Sequence, residues 1–293
     1  MLRYTIPGMT EFPEIILLML SFHRDAPELF YDDVKIESVY GGFPSSSFCG
    51  GRCSTGPAMP LLDVGAVVDR YNDLGIDCNV TFSNQLLDEA AISGDEYSRQ
   101  ILRLLDNGAG NGVILHSEAL DAYVRSEHPS LKRISSTTKC LKDTTAIQKE
   151  LARFDRVVLD NDIAHDPDAL SALRDRDKLE VMVNEYCVLG CPHREEHYRA
   201  VSENQLAGTA DSFTCRQKAT PQAFGFCFGM MDGEGFFHIH DVNELSRRFS
   251  IYHFKIVGRG LDRYDLIDSI LYYLIRPEHW YSVRDYLVHR GYV

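Results

Sequence analysis

Strand-like and helix-like segments alternate along almost the whole 293-residue chain, and that alternation limits the fold more than any other feature. Val34–Tyr40, Cys78–Phe82, Gly112–His116, Lys132–Ser136, Arg156–Asp160, Leu179–Val183, Phe236–Ile239 and Tyr252–Val257 are short runs rich in β-branched, aromatic or other apolar residues, and read as strands. Between and after them lie segments with apolar residues at helical spacing: Asp63–Leu74, Glu96–Leu105, Glu118–Ser126, Thr144–Phe154, Asp166–Arg174, Arg194–Ser202, Val242–Arg248 and Tyr264–Ile275. Strands separated by helices pair in parallel, because each crossover needs a helix. Eight such units predict a single closed (β/α)8 TIM-like barrel over 34–293, with 1–33 a short N-terminal helical extension. The extension's helix centres on Ile15–Leu20, with Thr10 as a cap and Pro13 in the first turn. An open doubly wound sheet is the competing architecture, but no G-x-G-x-x-G follows a strand.

A barrel of this kind carries its chemistry just past the strand ends. Those positions hold Gly41-Gly42, Ser83-Asn84, His116-Ser117, Ser135 to Lys139, Asp160-Asn161, Asn184-Glu185, His240-Asp241 and Gly258-Arg259. Polar residues after strands also start helices, so Ser117, Asp166 and Asp241 are accounted for as caps. Lys139, His116, Asn184, Glu185 and Arg259 are less easily explained that way. The Gly50-Gly51-Arg52 turn places a guanidinium over the same face, suited to a carboxylate or phosphate. Lys255 and Arg259 add positive charge at the mouth.

Cysteines supply the second signal. Cys187 and Cys191 follow the Leu179–Val183 strand, and Cys215 and Cys227 follow in one loop-rich stretch. Four soft ligands past one strand end suit an iron–sulfur cluster; zinc accepts the same set, and plain buried thiols are the metal-free alternative. Cys49 and Cys53 form a second C-x3-C pair that competes for the same role. On the following helix, Arg194 and His197 share a face, either as charge and proton donor near the thiols or as part of a solvated surface.

A net charge of −13 argues against general attraction to nucleic acid or anionic lipid. No export signal is evident, and the longest apolar run is far too short for a bilayer, which needs ~20 residues. A cytoplasmic protein with reduced thiols is expected, acting on a small molecule and meeting no membrane, with a partner protein as a further option.

His116-Ser117 after the third predicted strand, Val158-Leu159 at the fifth, the cysteine loop after the sixth and Phe254-Lys255-Ile256-Val257-Gly258-Arg259 at the last together resemble the group historically called collagenase-like peptidases. That group includes iron–sulfur proteins of oxygen-independent ubiquinone hydroxylation and of tRNA uridine hydroxylation. Gly50-Gly51-Arg52 and Ser135 to Lys139 are similar to a less characterised bacterial set. Val257 stands where the family has Glu, and Cys187 and Cys191 are closer together than its first pair. The resemblance implies a [4Fe–4S] cluster on Cys187, Cys191, Cys215 and Cys227, and redox or oxygen-independent hydroxylation chemistry on an anionic or nucleoside-like molecule. Glu185, His197 and Lys139 are then the candidate catalytic groups. Arg52, His116, Asn184, Arg194, Lys255 and Arg259 are the candidate substrate-binding groups. tRNA is the one nucleic acid the family brings in. A hydrolase, as the old name suggests, and a zinc-stabilised or metal-free partner subunit are the alternatives; neither Gly-x-Ser-x-Gly nor His-Glu-x-x-His is present.

Overall fold

The computed structural model describes residues 1–52, 54–210, 213–215, 231–258 and 262–292. Eight parallel strands close into a barrel in chain order: β1 (Leu2–Ile6), β2 (Val34–Gly41), β3 (Asp77–Phe82), β4 (Gly112–Leu115), β5 (Lys132–Ser135), β6 (Arg156–Val158), β7 (Leu179–Met182) and β8 (His253–Lys255). β8 pairs with β1 through Arg3–His253, Tyr4–Phe254 and Thr5–Lys255, which completes the ring. Around it lie α1 (Pro13–Asp25), α2 (Leu61–Asn72), α3 (Glu89–Gly94), α4 (Glu96–Leu105), α5 (Glu118–Glu127), α6 (Thr144–Arg153), α7 (Asn161–Ala164), α8 (Pro167–Ala172), α9 (Arg194–Ala207), α10 (Ile239–Phe249), α11 (Arg263–Leu274) and α12 (Trp280–His289). None of the described helices is long and apolar enough to cross a membrane.

The closed parallel barrel agrees with the architecture expected from the alternation, but two of its parts differ. Residues 1–33 are no extension: Leu2–Ile6 is a barrel strand between β2 and β8, and α1 follows it. Phe236–Ile239 is no strand. Phe236 makes a single antiparallel bridge to Asn184, and α10 begins at Ile239, where Asp241 accepts the His238 backbone N–H at 2.8 Å. The apolar Phe236 and Phe237 are buried as a packed loop, Phe237 stacked on His165 at 3.8 Å. Thr10 does not cap α1; its hydroxyl donates to the Gly42 carbonyl at 2.7 Å and ties the first loop to the second.

Alternate residues of each strand face inward. Toward the N-terminal end the inside is polar: Thr5 donates to Glu180 at 2.6 Å, and Arg156 lies 2.9 Å from Glu37 and 3.7 Å from Glu180. Burial would raise the Glu37 pKa, but His253 and Arg156 outweigh it and hold the carboxyl far below its usual range. Above this layer Tyr40, Ile114, Ile134, Val158, Met182 and Val257 form an apolar plug. The larger core lies between strands and helices, where Ile101, Leu102 and Leu105 of α4, among many others, are wholly buried. Each such side chain contributes about 1.5–3 kcal/mol.

Candidate functional site

At the carboxyl ends of the strands a cavity opens above the apolar plug. It encloses ≈ 510 Å³, part of it open to solvent. Its floor is Tyr40, Ile114, Val158, Met182 and Val257. Its walls are the 51–52 turn, Thr81 and Ser83 past β3, Ser136 to Thr138 past β5, Glu185 past β7, Lys255 on β8 and Tyr198 on α9. Of the described residues lining it, the charged ones are Arg52, Lys255 and Glu185.

Each is held by local structure. Gly51 has φ +74, a backbone that glycine adopts freely, and this turn aims Arg52 at the cavity. The Arg52 guanidinium hydrogen-bonds the Tyr186 hydroxyl and lies 5.3 Å from that ring's centroid. Burial opposes its charge, but Tyr186 and Glu185 more than compensate, and its pKa is raised. Lys255 is 6% exposed, with its ammonium 3.9 Å from the centre of the Tyr40 ring, a cation–π contact; the Tyr40 hydroxyl in turn donates to the Ile256 carbonyl at 2.9 Å. Glu185 Oε1 accepts the backbone N–H groups of Tyr186 and Cys187 at 2.9 and 3.0 Å, which fixes the carboxylate on the wall. Burial and the nearby Glu185 raise the Tyr198 pKa, so that phenol stays protonated and able to donate.

The other described residues expected at the mouth do not line the cavity. Lys139 turns outward, 2.6 Å from Glu150 and 4.5 Å from the Phe154 ring centre. Asn184 is wholly buried and bonded on both amide atoms to the β8 end, donating to the Val257 carbonyl at 2.9 Å and accepting its N–H at 2.6 Å. It is a clamp between strands, with Ser269 as a further acceptor at 3.2 Å. His116 sits beside the cavity, bonded to Thr138 at 2.9 Å; burial and the Lys139 charge push its pKa down to about 4. Arg194 is buried and braces the cysteine loop, reaching Asp160 at 2.8 Å, Asp162 at 3.1 Å and the Val188 carbonyl at 2.9 Å. His197 stacks on Phe213 at 4.5 Å. Arg259 lies outside the described residues.

Cys187 lies beside Arg194 and within electrostatic range of Cys191; burial and Glu185 push its thiol up to about 11. Cys215 is partly exposed, two residues after the Phe213 that stacks on His197. Cys227, like Cys53, is outside the described residues. Among the described residues no three His, Cys, Asp or Glu side chains are grouped so as to hold a metal ion. Among the described residues the geometry therefore brings Cys187 and Cys191 together.

Ser83 and Tyr198 were not among the candidates from sequence. A hydroxyl after a strand looks like a cap, and Tyr198 on a polar helix looks like surface; only the closed ring puts both on one wall.

No protein-family model and no curated protein matches the chain. Among solved structures, that of the U32 peptidase Mk0906 is similar, with TM-score 0.51 and 13% sequence identity over 88% of this chain and 93% of that one. The likeness is one of fold.

Proposed function

We propose that the cavity is the active site of an enzyme that binds an anionic small molecule and carries out acid–base, hydrolytic chemistry on it. The observation that carries this reading is the meeting of Arg52, Lys255 and Glu185 on the wall of one cavity above an apolar floor. A carboxylate entering the cavity would give Arg52 and Lys255 a further, charge-assisted partner. The solved structure of similar fold is named as a peptidase, which fits an amide bond as the target. In that reaction water adds to the carbonyl carbon and the carbon–nitrogen bond breaks. Glu185 takes the proton from the water and passes it to the leaving nitrogen, while the Tyr198 hydroxyl donates to the carbonyl oxygen. Among the described residues Glu185 Oε2 takes no hydrogen bond, so that oxygen is available to the water. Assay of the protein against N-acyl amino acids and dipeptides tests this. Glu185→Gln should lower kcat about 100-fold or more while leaving KM within a few-fold; full activity in that variant would contradict it.

A second reading places an iron–sulfur cluster or zinc on the cysteine loop. What supports it is the pairing of Cys187 and Cys191 beside Arg194. Cys215 and Cys227 would have to complete the set. Such a group would supply electron transfer, or Lewis-acid polarisation in the case of zinc. Anaerobic purification followed by iron, sulfide and zinc assay checks it. Stoichiometric metal that is lost in Cys187→Ser supports the reading, and metal content unchanged by that variant contradicts it.

A further inference from the structure

We infer that the ligand of this cavity is a small amphipathic acid: a carboxylate with an apolar body and a hydroxyl near its charged end, the hydroxyl being met by Ser83. The inference rests on the reading of the cavity as an anion site and narrows it to a class of acid, the carboxylate-bearing part of an amide substrate or its acid product.

The floor argues for the apolar body. Tyr40, Ile114, Val158, Met182 and Val257 line the cavity and are each 3–8% exposed. A ligand that covers them gains about 0.8 kcal/mol per methylene withdrawn from water, a gain that phosphate or another compact ion cannot make. The ring order separates the two ends of that ligand. Strands β8, β1, β2 and β3 are consecutive neighbours. Lys255 stands on the first of these, Arg52 on the turn after the third, and Ser83 past the fourth, so all three occupy one arc of the mouth. Ile114 and Val158 come from the other arc, on β4 and β6, while Met182 on β7 is paired beside Lys255.

Hydrogen-bond accounting selects Ser83. Thr81 donates to the Gly41 carbonyl at 3.1 Å, and Thr137 to the Leu159 carbonyl at 2.9 Å. Ser136 and Thr138 bond each other at 2.9 Å, and Thr138 also meets His116. Ser83 is 1% exposed, lines the same wall, and its Oγ has no hydrogen-bond partner among the described residues. A buried hydroxyl left unpaired costs about 1–3 kcal/mol, which a ligand group recovers after a turn about one side-chain bond.

Isothermal titration of the full chain with phenyllactate, 3-phenylpropanoate, lactate and inorganic phosphate tests the inference. Phenyllactate is expected to bind tightest, with lactate and phosphate at least about tenfold weaker. Ser83→Ala should weaken phenyllactate about tenfold and leave 3-phenylpropanoate unchanged. Equal binding of phosphate and phenyllactate, or an equal effect of Ser83→Ala on both aromatic acids, would overturn the inference while leaving the anion site standing. Failure of every acid to bind would remove both.

Discussion

Gly50 packs so tightly on the Ser83–Asn84 peptide that a Cβ at Gly50 would stand 2.3 Å from the Ser83 carbonyl carbon and 2.4 Å from the Asn84 nitrogen. The turn that carries Arg52 is thereby pressed onto the end of β3. Asn84 secures the same contact, its N–H reaching the Phe48 carbonyl at 3.1 Å and its side-chain amide the Ser47 carbonyl at 2.9 Å. Gln205 of α9 adds a bond to the Ser46 carbonyl at 2.8 Å. Arg52 and Ser83, on adjacent loops, are thus held in one frame.

Gly50→Ala should therefore cost about 1–3 kcal/mol, because the atoms it meets are backbone and cannot give way cheaply. Gly65→Ala is the control. Its Cβ would meet only Leu104 Cδ2 at 3.6 Å, within α2, so it should be neutral or stabilising by up to about 1 kcal/mol. Urea denaturation of the two variants distinguishes a close approach from a general intolerance of alanine.

Lys139 and Glu150 form a buried pair at 2.6 Å, each side chain 9% exposed, and Ser135 donates to the same Glu150 oxygen at 2.5 Å. Lys139→Met leaves that carboxylate without its closest cation and should destabilise by about 3 kcal/mol. The double variant Lys139→Met with Glu150→Gln should recover much of the loss. Ligand affinity at the mouth should stay at the wild-type value throughout. Loss of affinity without loss of stability would instead put Lys139 in the site.

His116 sets a pH dependence. Its folded pKa is pushed down to about 4 by burial and the Lys139 charge, against an ordinary 6.5. Between those values the unfolded chain takes a proton that the folded one refuses. Stability is therefore complete above the unfolded value and is lost as pH falls through the window, by on the order of 2–3 kcal/mol at its lower end. His116→Gln should flatten the urea midpoint between pH 6.5 and 4 relative to wild type, with no difference in slope between pH 7 and 8. Parallel slopes throughout would refute the assignment.

The barrel was legible because seven of its strands carry apolar or β-branched runs between helical periodicities, β2 through β8. β1 escaped because its inward side chains are Arg3 and Thr5, facing the polar end of the barrel, so no apolar run marks it. Alternation in Leu2-Arg3-Tyr4-Thr5-Ile6, closed by Pro7-Gly8, was the available signal. Phe236 and Phe237 misled in the opposite sense: two buried aromatics look like a strand whether they pair or merely pack. At the mouth, Arg52, Lys255 and Glu185 stood out as charges at strand ends. Asn184 and Lys139 looked the same, yet they spend their polar atoms sideways, on β8 and α6. Ser83 could not be singled out by pattern, since its distinction is a hydroxyl without a partner among the described residues, which only three-dimensional accounting reveals.

The most direct measurement is the affinity of the tightest-binding acid for wild type, Arg52→Gln, Lys255→Gln and, as a control at the opposite end of the barrel, Lys132→Gln, which removes the cation 2.7 Å from Asp77. The account predicts at least about tenfold weaker binding in each of the first two variants and no change in the third. Wild-type affinity in both Arg52→Gln and Lys255→Gln would contradict it.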